Sequence, residues 1–239
     1  MGTSKRRARW RGPLEPDATL ALWADFPVEA RPRPIVLTSR TGGSGGGFAS
    51  WEAKEAYSQA PMVSDVELPP GLMEVLRPYP KPHWQGEPIH VRSIRGVTRE
   101  FGTDRGHRPL PAYELEIQYA PGPVCLLDPE IDAITWWPPD LDLGIRGLWT
   151  GLPVVMTHNE LTLSQVVIGS PPVYSDVRVT AVLETTTAVL VLTEETMHEG
   201  FDSVPLVAVD RPITAHLAAP LGNRVLINAS GQPLTVLHG

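Results

Sequence analysis

The chain has 239 residues, 42% of them hydrophobic and 20% charged, with 26 prolines and 21 glycines. This is globular composition with many turns, and it leaves little room for long helices. A net charge of −7 gives no general attraction for nucleic acid or anionic lipid, so nucleic-acid binding is disfavoured. The single cysteine, Cys125, excludes an intramolecular disulfide framework, and its place in Val124-Cys125-Leu126-Leu127 marks it as core.

Residues 1–33 carry charges, prolines and one short apolar patch, and read as an arm laid on the body. The basic residues Lys5 to Arg11 are followed by no apolar stretch long enough for a secretory leader or a membrane span, which makes the cytoplasm the expected location. The first expected strand, 34–39, runs into the glycine-rich stretch 42–47, a flexible loop. Ser50 is placed to cap a helix over 51–60 that Pro61 stops, and 69–76 allows a second short helix ended by Pro78. The prolines at 80 and 82 keep 79–84 out of regular structure.

From residue 89 onward, β-structure is expected. Strands over 89–101 and 113–119 flank a polar connection at 102–108, and Glu114, Glu116 and Gln118 alternate with Leu115, Ile117 and Tyr119 in the period of a sheet with one wet face. Residues 124–127 form another strand, and Asp128-Pro129-Glu130 opens a helical turn. After Pro138-Pro139, strands are expected at 154–156, 161–168, 173–183, 188–193, 204–209, 213–217 and 224–227. Residues 176–192 have the pattern of a hairpin with a threonine-rich turn, because β-branched residues suit a pleated, half-buried surface. The fold expected is mainly β, a sandwich or barrel of short antiparallel strands, with an arm (1–33), a β-rich region with short helices (34–145) and a β module (146–239), the alternative being one continuous domain over the last two.

The segment from Arg211 to Asn228, with Pro220-Leu221-Gly222-Asn223-Arg224 and the ending Gly231-Gln232-Pro233-Leu234, resembles a C-terminal β module of actinobacterial proteins of no assigned activity. Asn223 stands where those proteins usually have Asp, and Leu110-Pro111-Ala112-Tyr113 resembles another of their segments. The resemblance implies β structure and no catalytic residue.

Candidate sites are sparse. Gly42-Gly43-Ser44-Gly45-Gly46 has the spacing of a nucleophile elbow, which makes Ser44 the one candidate catalytic residue, although five glycines in six positions produce that pattern by composition alone. The stretch lacks the Gly-Lys-Ser/Thr ending of a phosphate-binding loop. None of the seven histidines pairs at metal-ligand spacing, and neither a metal nor a cofactor is expected. Trp136-Trp137 lie beside a rigid bend and near Asp140 and Asp142. Neighbours on an extended segment face opposite ways, so one indole is expected to remain available to a partner. These four residues are the candidate binding site.

The reading that follows is a non-catalytic binding or assembly protein that contacts a protein partner or its own copies through loops and exposed aromatic surface. The alternatives are a serine- or carboxylate-dependent hydrolase and a structural component of a phage or secretion particle.

Overall fold

The computed structural model describes residues 15–38, 41–42, 48–76, 86–138, 154–157, 159–169, 171–172, 175–198 and 209–238. Ser44, Asp140, Asp142, the boundary near residue 145, the irregular stretch 79–84 and most of the expected strand 204–209 lie outside them. The fold is mainly β. Its helices are α1 (Pro16–Ala21), α2 (Trp51–Gln59), α3 (Leu72–Leu76) and a 3-10 turn over Pro129–Ile134. The strands of the first half are β1 (Thr41–Gly42), β2 (Met62–Ser64), β3 (Ile89–Thr103), β4 (Gly106–Ile117) and β5 (Val124–Leu127). Those of the second half are β6 (Val154–Met156), β7 (Thr162–Gly169), β8 (Ser175–Glu184), β9 (Ala188–Met197), β10 (Val209–His216), β11 (Val225–Ile227) and β12 (Val236–His238).

Three sheets result, ordered β1-β5-β4-β3-β2, β10-β7-β6-β12 and β11-β9-β8. No barrel closes among the described residues. Pairing is not wholly antiparallel, because three short strands add in parallel: β2 to β3, β11 to β9 and β12 to β6. No described helix is long and apolar enough to cross a membrane.

Local chemistry explains the elements that formed as expected. Ser50 Oγ accepts from Ala53 N at 3.1 Å and caps α2. The β8–β9 hairpin closes through Thr185, whose Oγ1 accepts from Ala188 N at 3.0 Å and Thr187 N at 3.3 Å. The connection expected at 102–108 contracts instead to a two-residue turn, Asp104-Arg105, with strand on either side. Thr103 Oγ1 donates to Gly106 O and accepts from Arg105 N, while Gly106 takes φ +90°, a conformation glycine adopts without a Cβ clash. Local polarity suggested a loop, and side-chain closure of the turn prevailed.

The second and third sheets share a core in which Val154, Met156, Leu163 and Ala215 meet Val189, Val191 and Leu226. On the opposite face of the third sheet, Ala188, Leu190, Val225 and Ile227 are covered by Trp23 and Phe26 from the amino-terminal segment. Trp23 is fully buried, and its indole N–H donates to Gly231 O at 2.8 Å. The first sheet has a core on each face. Near the open end of the β3–β4 hairpin, Ile89, Val91, Leu115 and Ile117 pack under α2 and α3 through Ala56, Leu72 and Leu76. Toward the tip, Phe101, Leu110, Ala112, Cys125 and Leu127 pack on the other face against Leu37. The hairpin therefore changes its buried face partway along, leaving its middle exposed.

The tip is where the parts of the chain meet. Asp104, 1% exposed, is ion-paired with Arg33; Arg33 Nη1 donates to Oδ1 at 3.2 Å, Nη2 donates to Oδ2, and the guanidinium also lies over the Phe26 ring. The backbone N–H of Asp104 donates to Val36 O, and its carbonyl accepts from Val236 N. Arg105 Nη2 donates to the carbonyls of Gly222 and Arg224. Burial lowers the Arg105 pKa, with the Asp104 carboxylate acting in the opposite direction. Gly102 allows the close approach, since a Cβ there would lie 2.5 Å from Thr38 Oγ1.

Removing one member of a buried pair leaves an uncompensated charge. Asp104→Asn and Arg33→Ala should each lower the unfolding free energy by about 3 kcal/mol in urea denaturation. The apolar pair Arg33→Met/Asp104→Leu should recover most of that loss, and single-variant losses under about 1 kcal/mol would contradict a desolvated pair.

Candidate functional site

The exposed middle of the β3–β4 hairpin is densely charged, and Arg95, Arg99 and Glu114 neutralise one another. Arg95 Nη2 and Arg99 Nη2 each donate to Glu114 at 2.6 Å, which holds the Glu114 carboxyl below its ordinary pKa, Arg99 contributing most. Ser93 Oγ donates to Glu116 Oε2 at 3.2 Å.

Arg92 differs from these neighbours. Val91 pairs with Ile117 and Ser93 with Glu116, so Arg92 is an extra residue in β3, inserted as a bulge opposite no partner. Its side chain is in no hydrogen bond or ion pair with the described residues, and it borders a groove of about 440 Å³ at the end of the hairpin. Glu116, on the adjacent strand, and residues of the 118–123 connection between β4 and β5 also line the groove. In that connection Tyr119 holds a left-handed backbone (φ 66°), which bulky side chains rarely adopt, and is 48% exposed. Bulges and strained residues cluster at binding sites because they re-aim side chains, and here a bulge and a left-handed tyrosine border one groove.

The tryptophans singled out from the sequence lie elsewhere. Trp136 and Trp137 are both half-buried, with ring centroids 5.3 and 6.1 Å from that of Trp23, and Trp136 also packs edge-on to Phe26 at 5.1 Å. The large exposed aromatics among the described residues are Trp51, 70% exposed on α2 beside Lys54, and Tyr119. Cys125 is buried, and burial pushes its thiol pKa up, with Arg99 acting the other way. His90 Nδ1 lies 2.7 Å from Asp65 Oδ1, an imidazole oriented by a carboxylate. No group of three or more metal-ligating side chains gathers among the described residues.

The Pro220-Leu221-Gly222-Asn223-Arg224 segment forms a tight turn that receives the hairpin tip. Arg224 donates to the carbonyls of Ala219, Pro220 and Leu221 and to Glu184 Oε2 at 2.7 Å. Asn223 O accepts from Arg33 Nε, and its side-chain amide donates to Val28 O. Burial raises the Glu184 carboxyl, but the Ala218 N–H and the Arg224 guanidinium together outweigh it, and its pKa falls below the ordinary value. These contacts occupy the motif in scaffolding.

Sequence reasoning missed Arg92 and Tyr119. Arg92 carries no local signal, since a bulge is defined by the partner strand. For Tyr119 the cluster Ala120-Pro121-Gly122-Pro123 marks a turn, but the alternation through Ile117 extends a strand across it. Comparison with family models, curated proteins and solved structures gave no match.

If Tyr119 is retained for contact rather than packing, Tyr119→Gly relieves about 1 kcal/mol of left-handed strain, partly offset by the freedom glycine adds to the unfolded chain. Its unfolding free energy, measured in urea, should equal or exceed that of the parent, and a fall of more than about 1 kcal/mol would identify the ring as a packing residue.

Proposed function

We propose that this chain is a non-catalytic binding or assembly protein whose recognition surface is the groove between Arg92, Glu116 and the 118–123 connection. The observation that carries the reading is that a bulged, unpaired Arg92 and a half-exposed, left-handed Tyr119 line one groove. Arginine and tyrosine are the residue types most often found at the energetic centres of protein interfaces, because each combines broad contact area with directional donors. The hairpin is a stable platform for them: helices pack at its base, and the Arg33–Asp104 pair holds its tip. The partner is a protein or another copy of this chain.

A photoreactive phenylalanine derivative at position 119, with a control at exposed Thr98, tests the reading in an extract of the source cells. Position 119 should give a discrete cross-linked species, either a heterologous partner or a self-adduct. Arg92→Ala should deplete it by about tenfold, the loss of one charge-assisted contact. Identical products from both positions would overturn the proposal.

A serine hydrolase is the second reading, favoured by the Asp65-oriented His90. Under the binding reading, short-chain esters are hydrolysed no faster with the parent protein than with Ser44→Ala or His90→Ala. Loss of a measurable activity in both variants would replace binding with catalysis.

A further inference from the structure

Resting on the binding reading, we infer that the groove recognises a peptide carboxylate, with Arg92 as its anchor and Glu116 and Gln118 aligning the adjoining peptide group. Arg95 and Arg99 of the hairpin are both engaged by Glu114, whereas Arg92 meets no anion among the described residues and borders the groove at the bulge. A guanidinium is a planar fork of donors that matches the two oxygens of a carboxylate. Glu116 on the same lining makes the groove less suited to a doubly charged phosphate, whose repulsion from that carboxylate is larger, than to a singly charged carboxylate.

Ser93 donates to Glu116 Oε2, leaving Oε1 to accept an N–H from the ligand. Gln118 offers both a donor and an acceptor, the complement of a peptide group. Pro123 lines the groove and supplies apolar contact for a neighbouring side chain, with Tyr119 also on the lining. The carboxylate has two possible sources within a peptide, the chain end or an acidic side chain.

Three probes separate these sources: N-acetyl-Gly-Phe-Leu as the free acid, the same peptide as its amide, and N-acetyl-Glu-Phe-Leu amide. Each is titrated into the intact 15N-labelled chain while the backbone resonances of residues 116–123 are followed. At least one acid-bearing peptide should shift those resonances and bind about tenfold more tightly than the neutral amide. Preference for the free acid assigns the chain end, and preference for the glutamyl peptide assigns the side chain. Arg92→Gln, checked for an unchanged thermal unfolding midpoint, should abolish the discrimination and leave weak residual binding. If acid and amide bind the groove equally, or Arg92→Gln keeps the preference, the carboxylate assignment falls while groove binding stands. If none of the peptides shifts these resonances, the carboxylate assignment falls, and the cross-linking result at position 119 decides the binding reading separately.

Discussion

The buried ion pair between Arg33 and Asp104 is the constraint on which the rest of the structure depends. A carboxylate at 1% exposure is tolerable only with its charge matched and its backbone satisfied. Both requirements are met by segments far apart in sequence. Arg33 comes from the amino-terminal segment, Val36 O accepts the Asp104 N–H, and Val236 N donates to the Asp104 carbonyl. One two-residue turn thereby ties together the start of the chain, the first sheet and the last strand.

The same arrangement explains why the amino-terminal segment packs as part of the body. Trp23 and Phe26 cover the outer face of the third sheet, Trp23 is held by Gly231 O, and Asn223 ties Val28 to the receiving turn. With its tip fixed in this way and its base under α2 and α3, the β3–β4 hairpin is anchored at both ends. A groove beside the anchored base can hold Arg92 and Tyr119 in fixed relation, which lowers the ordering cost of recognition.

Features of local origin were legible in the sequence. Ser50 and Pro61 bracket α2, threonines close the β8–β9 hairpin, and the alternation at Leu115 and Ile117 marks the buried face of β4. Features that depend on a distant partner were not legible. Strands β2 and β12 have three residues each and exist through parallel pairing to β3 and β6. The polar run at 102–108 is closed locally by Thr103 and Gly106, and the turn so formed is received by Arg33 and the 220–224 turn, partners that no local pattern reveals. For the candidate site the contrast is sharper. Trp136 and Trp137 stand out by size and pack on Trp23, whereas Arg92 is inconspicuous until its strand is laid against β4.

Native-state amide hydrogen exchange at Asp104 and Val236 measures directly whether the hairpin tip unites the chain, because these two N–H groups form the backbone part of the junction. If the junction opens only with the whole fold, both amides exchange with the same opening free energy as Leu115 in the first sheet and Leu190 in the third. Exchange at the junction about a hundredfold faster than at those core amides would contradict the account, showing that the tip leaves its socket while the sheets stay folded.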